Sequence, residues 1–127
     1  MSDLTASTSD PTAIVRRCFQ AYVDGDRAAG ADRRGFAFSS PLDNRIDRTA
    51  YFARCWPNHR SITGFAFHRL LAHGETVFVT YECESAAGRG FRNTEVMTVR
   101  DGRIVEVEVY FGWSLPHDAP PGGFVDR

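Results

Sequence analysis

From Thr76 to Trp113 apolar and polar side chains alternate, and one carboxylate falls on the apolar phase. Between Phe91 and Val99 the odd positions are Phe91, Asn93, Glu95, Met97 and Val99, and the even ones are Arg92, Thr94, Val96 and Thr98. Side chains along a strand alternate faces with a period of two. Glu95 and Asn93 therefore share an inward face with Phe91, Met97 and Val99. Taking an ionised carboxylate into such surroundings costs several kcal/mol unless it is paired or protonated. The same alternation predicts four long strands: Ile62 to Ala72, Thr76 to Ser85, Phe91 to Arg100 and Arg103 to Trp113. They are separated by His73-Gly74-Glu75, by Ala86 to Gly90 and by the tight-turn pair Asp101-Gly102.

Ahead of the strands the period changes from two to about 3.6. Asp10 caps a helix with Pro11 in its first turn, and Ile14, Val15, Cys18, Phe19 and Tyr22 recur at helical spacing before Gly25 ends it. Asp26 to Arg34 reads as a short second helix broken at Gly30, and Phe36-Ala37-Phe38 begins a strand that Pro41 terminates. A third helix follows Asp47, with Tyr51, Phe52, Cys55 and Trp56 on its apolar face and Pro57-Asn58 closing it. Helices first and an antiparallel meander after them is an α+β pattern, in which the sheet packs one face on the helices. The expected organisation is a flexible start at 1–10, one domain over 11–115 and a Pro/Gly-rich arm over 116–127. A chain of 127 residues has no room for a second domain and shows no repeats.

Composition removes several function classes. A net charge of −1 and only two adjacent-arginine pairs, Arg16-Arg17 and Arg33-Arg34, leave no basic stripe for nucleic acid. All fifteen cationic side chains are Arg, so Schiff-base catalysis and the lysine-bearing phosphate loop are both closed to this chain. Three cysteines without CxxC spacing argue against a disulfide framework and a zinc site, and predict a reduced, cytoplasmic setting. His59, His73 and His117 have no spacing that converges on a metal, so neither metal nor cofactor is expected. The first ten residues lack the basic start and apolar core of a signal peptide, and no apolar run reaches membrane-spanning length.

The order helix, short helix, strand, helix, four strands resembles the nuclear transport factor 2-like superfamily, also called SnoaL-like or cystatin-like. The resemblance rests on Ile14 to Asp26 ending Val-Asp-Gly-Asp, on Ser40-Pro41, and on Asp101-Gly102-Arg103-Ile104 leading to Tyr110-Phe111-Gly112. It implies a cone in which a strongly curved antiparallel sheet wraps three N-terminal helices around an apolar pocket, with homodimers formed through the outer sheet face. Laid on the ketosteroid isomerase branch, the helix-borne tyrosine position is Cys18 and the proton-shuttling aspartate position is Ser40. The position of the acid that an apolar site keeps protonated is Glu95. Steroid double-bond isomerisation by the usual route is thus not expected. The same alignment turns Val77, Val79, Tyr81 and Cys83 inward on one strand and Val105, Val107, Val109 and Phe111 on the last. It leaves Glu106 and Glu108 outside; on the first long strand the charge of Arg69 belongs outside, which turns His68 inward with Ala66 and sends Phe65 and Phe67 outward beneath a partner subunit.

The candidate catalytic set is Glu95, Asn93 and His68. Glu95 either polarises a carbonyl when protonated or takes a proton when ionised; the plainer reading pairs it with a buried Arg. His68 is a base of near-neutral titration or a satisfied structural residue. The candidate ligand-binding set is Cys18, Tyr22, Phe38, Ser40, Phe52, Trp56, Val79, Tyr81, Met97, Val107, Val109 and Phe111. Asp43 and Arg45 either orient a polar ligand end at the cone's mouth or pair with each other. The function expected from the resemblance is binding of a hydrophobic or aromatic small molecule, with cofactor-free isomerase, polyketide cyclase or dehydratase chemistry on a carbonyl compound. The alternative is a non-catalytic ligand-binding or dimerisation module. Epoxide hydrolysis is a weaker third reading, because its Asp-Arg-Asp constellation is missing from these strands.

Overall fold

In the computed structural model, which describes residues 10–26, 35–86 and 88–126, helix α1 (Pro11–Asp24) begins and ends where its capping residues require. The Thr12 amide donates to the Asp10 carboxylate at 3.0 Å, Pro11 occupies the first turn where no amide partner is needed, and Gly25 closes the helix at φ 75°. The expected helix at Asp26 to Arg34 falls, beyond Asp26, outside the described residues. Helix α2 (Arg48–Arg54) is capped by Asp47, which accepts from the Ala50 amide at 2.9 Å. Pro57 does not stop the chain cleanly, since a 3-10 segment runs on through Trp56–Ser61. Among the described residues, no helix is long and apolar enough to cross a membrane.

Six strands form one curved sheet: β1 (Ala37–Ser40), β2 (Asp43–Ile46), β3 (Ile62–His73), β4 (Thr76–Ser85), β5 (Gly90–Arg100) and β6 (Arg103–Leu115). Their spatial order is β2-β1-β6-β5-β4-β3. The sheet is mixed and open, because β1 lies parallel to β6 while every other pair is antiparallel. Strand β2 was not expected: Arg45, at φ 49°, bends it out of regular alternation. At the Asp101-Gly102 turn both residues have positive φ, 54° and 77°, the geometry that lets a two-residue loop follow the sheet's twist.

Bulges decide which side chains face in. On β3, Phe67 opposes Tyr81 and Arg69 opposes Thr80, so His68 is an extra residue and both it and Arg69 face outward. The expected phase of β3 is therefore reversed. Phe65 and Phe67 point inward, where the Phe19 ring meets them edge-on at 4.8 and 5.2 Å, while Ala66 and His68 are exposed. On β6 a second bulge sets Ile104 opposite Val99 and Glu106 opposite Thr98, so Ile104 takes the core place expected for Val105. Val77, Val79, Tyr81 and Cys83 are buried as the alternation requires.

Candidate functional site

The helices and the concave face of the sheet enclose a cavity of about 840 Å³. Strand register sets its depth. Met97 and Val107 oppose each other at the bottom, Glu95 and Val109 one step higher, and Asn93 and Phe111 one step higher again. Phe38 is level with Val107, and Ser85, Arg89, Trp113 and Asp118 surround the mouth.

Among the described residues, Glu95 is the only carboxylate of β3 to β6 that lines the cavity. Its Oε2 accepts from the Tyr81 hydroxyl at 2.5 Å, and that hydroxyl accepts from Asn93 Nδ2 at 3.4 Å. Asn93 Oδ1 takes the Gly112 amide at 3.2 Å, which fixes the amide's orientation. All donors in this chain point toward Glu95. Gly112 has to be glycine here, since a Cβ would lie 2.2 Å from the Arg92 carbonyl oxygen at the β5–β6 bulge. The plainer reading pairs Glu95 with a buried Arg; among the described residues no cation is its partner. Burial pushes the carboxyl up to about 7 against the opposing pull of the Tyr81 hydrogen bond. The surface Glu95 retains faces the cavity.

The helical wall opposite supplies phenols and thiols. Tyr22 donates to the Cys55 carbonyl at 3.2 Å, so it bonds neither Tyr81 nor the cavity's interior. Burial, with Glu95 adding to it, pushes the Cys18 thiol up to about 12, and burial pushes Cys55 up to about 11. Both stay protonated at neutral pH and are not nucleophiles. Tyr51 lines the cavity and its hydroxyl has no hydrogen-bond partner among the described residues. Burial and the neighbouring Cys18, Tyr22, Glu95 and Cys55 hold its phenol well above the usual range.

Of the expected binding set, Cys18, Tyr22, Phe38, Ser40, Tyr81, Met97, Val107, Val109 and Phe111 line the cavity, together with Asn93 and Glu95. Phe52, Trp56 and Val79 do not. Phe52 and Trp56 pack on each other at 5.3 Å behind Tyr51, which takes the lining position because successive helical residues point about 100° apart. Val79, fully buried opposite Leu70 and Glu95, lies sealed in the sheet core. His68 is on the opposite face altogether, 3.5 Å from Glu82, so it cannot reach a molecule in the cavity. Asp43 and Arg45 do not pair with each other: Asp43 takes Arg54 and Ser40, and Arg45 takes Glu106 at 2.6 Å. Asp43 lines the cavity, as one of its two expected roles required, whereas Tyr51 and Arg54 are outside the expected site. For Tyr51 the helical spacing was available as a signal, but it marked core and lining alike. Among the described residues no group of three or more His, Cys, Asp or Glu is placed to hold a metal ion.

The model of the SnoaL-like domain family matches residues 15–107. No curated protein matches the sequence. Among solved structures, a protein from Kribbella flavida DSM 17836 superposes with TM-score 0.69 at 24% identity, covering 78% of this chain and 84% of that one. An NTF-2 like protein of unknown function from Burkholderia xenovorans LB400 gives 0.66 at 23% identity, covering 90% and 91%. An LEH-like epoxide hydrolase from M. tuberculosis gives 0.63 at 22% identity, covering 80% and 82%. At these identities the likeness establishes the fold and leaves the chemistry to the residues.

Proposed function

We propose, for a chain that belongs to the SnoaL-like domain family, that it binds a hydrophobic carbonyl compound in this cavity and moves a proton on it without a cofactor. The observation that carries this reading is Glu95, a carboxyl in an apolar cavity with a phenol beside it and, among the described residues, no cation, poised near neutrality. Ionised, Glu95 takes a proton from the carbon next to the carbonyl, and the electron pair of that C–H bond moves onto the carbonyl oxygen. Tyr51 is the donor for that oxygen, its hydroxyl being uncommitted among the described residues. Protonated Glu95 then gives the proton to a different carbon of the extended enolate, which is isomerisation, or to a hydroxyl on the β-carbon as the enolate's electron pair re-forms the carbonyl and expels it as water, which is dehydration. A relay of Asn93 and Tyr81 holds the carboxyl in place throughout.

The test is α-proton exchange of cyclic enones and aryl ketones in D₂O, followed by NMR. Wild type is expected to exchange them and Glu95→Gln to lose at least about 100-fold, the low end of a general base's contribution. Equal rates for the two proteins would end the proposal. A second reading, a ligand-binding module without turnover, is favoured by Cys18 and Ser40 at the isomerase's tyrosine and aspartate positions; it predicts ligand-induced stabilisation with no exchange. In either case we place the protein in the cytoplasm as a homodimer joined through the outer sheet face, where Leu71, Phe78 and Tyr110 are exposed. A monomer mass in sedimentation would remove that assignment.

A further inference from the structure

The cavity's mouth has a charge chemistry that its floor lacks. Two arginines line it, Arg54 and Arg89. Arg89 is committed through Nη2 to Asp118 at 3.3 Å. Arg54 instead gives its Nε to Asp43 at 3.2 Å, and among the described residues no acceptor engages its Nη1 or Nη2. Asp43 is a firm anchor for it: the side chain is only 8% exposed, and its second oxygen accepts the Ser40 hydroxyl at 2.8 Å. Ser40 Oγ is itself fixed by the Leu42 amide at 3.0 Å. Ser40, Asp43 and Arg54 all line the cavity, so the buried acid holds one edge of the guanidinium and the other edge stays open at the entrance.

An arginine tethered through Nε presents two parallel N–H donors, a fork that matches the paired oxygens of an oxyanion. Other arginines differ. Arg45 and Arg92 spend an Nη on surface carboxylates, and Arg16 and Arg48 lie over the Phe67 and Phe52 rings. Register also gives a length. Ser39 pairs with Glu108, so Ser40 is beside Val109, and Val109 pairs with Glu95. Two strand spacings, roughly 10 Å, thus separate the backbones of Ser40 and Glu95 across one level of the sheet. Val109 lies between them, and Phe38 and Phe111 line the cavity on either side of that level.

We infer that the molecule bound in this cavity carries an anionic group, a carboxylate or similar oxyanion, at its outer end, seated on Arg54, with an apolar body reaching toward Glu95. This rests on the cavity being a ligand site and is independent of whether Glu95 moves a proton. It also explains why Ser40 is a serine: it serves to orient the arginine's anchor, a positioning role in place of a proton shuttle.

Two fluorescent probes that differ only in one anionic group, anilinonaphthalene sulfonate and its neutral counterpart N-phenylnaphthylamine, test it by titration. Wild type is expected to bind both, the sulfonate more tightly. Arg54→Gln, an exposed substitution, should weaken the sulfonate about tenfold and the neutral probe less than twofold. Arg89→Gln should change neither by more than twofold, and Glu95→Gln should keep the preference for the anion. Unchanged sulfonate affinity in Arg54→Gln, equal loss of both probes, or loss of the preference in Arg89→Gln instead would each overturn the inference. Wild type that binds the neutral probe alone overturns the inference and spares the cavity as a ligand site. Wild type that binds neither removes both.

Discussion

Glu82 and Glu95 stand on adjacent strands of the same sheet, on opposite faces, and the fold treats them in opposite ways. On the outer face Glu82 has Arg92 Nη1 at 2.9 Å and His68 Nε2 at 3.5 Å, with its side chain one-third exposed to water. On the inner face Glu95 has a phenol at 2.5 Å and, among the described residues, no ion pair. Among the described residues, no arginine pairs with Glu95. Exposed ion pairs such as those of Glu82 contribute about 1 kcal/mol or less. An acid shifted from 4.5 to about 7 costs the folded state about 3 kcal/mol when ionised. A charge compensated on one face and left uncompensated on the other is what separates a carboxylate that decorates a sheet from one retained for what it does in a cavity.

That contrast is broken or sharpened first by removing the charge from each face. Between pH 4.5 and about 7 the folded chain still holds the Glu95 proton that the unfolded chain has released. Stability therefore falls as pH rises through that window, and the loss is complete above about 7. Glu95→Gln keeps an acceptor for Tyr81 but carries no charge. In urea titrations it should match wild type near pH 4 and exceed it at pH 8 by up to about 3 kcal/mol. Glu82→Gln should move stability by about 1 kcal/mol or less in the unfavourable direction. A Glu95→Gln protein no more stable than wild type at pH 8 would mean that the inner carboxylate is solvated after all.

Next in size is the phenol. Tyr81→Phe deletes the one hydrogen bond that draws the Glu95 carboxyl downward and leaves Asn93 Nδ2 without its acceptor. The midpoint of the pH-dependent loss should move above its wild-type position, and the protein should weaken by roughly 1 kcal/mol below pH 5. Carbon-13 NMR titration of the Glu95 carboxyl reads the shift directly. A midpoint that falls would reverse the assigned role of Tyr81.

Much of this inner face was legible in the sequence because strands β4, β5 and β6 are long and bury one face. A single apolar phase then fixes Val77, Val79, Tyr81, Met97, Val107 and Val109, and marks Glu95 as the exception. What alternation cannot register is a bulge, which inserts one residue and reverses every later side chain. One such insertion moved His68 from the pocket to the surface, and another exchanged Val105 for Ile104. The helical wall was blurred differently. Along α2 and the 3-10 segment after it, one apolar stripe carries Tyr51 toward the cavity and Phe52 with Trp56 toward the core, and the sequence marks all three alike. Arg54 and Asp43, eleven residues apart, meet only once the β1–β2 hairpin and α2 are folded together. The long strands thus make the chemical centre of the site readable, while its rim depends on tertiary contacts.

The smallest effect bears on the face that the bulge reassigned. With His68 outward, its side chain 41% exposed and its one ionic neighbour already bound by Arg92, His68→Ala removes a weak surface interaction. Stability should change by about 0.5 kcal/mol or less. Probe binding in the cavity and α-proton exchange should stay within twofold of wild type, because Phe67 and the backbone of β3 separate the imidazole from the cavity side of the sheet. Paired denaturation and exchange measurements on this one variant decide the matter. A loss of exchange approaching that of Glu95→Gln would require His68 to face inward, and the two-faced arrangement of β3 would have to be redrawn.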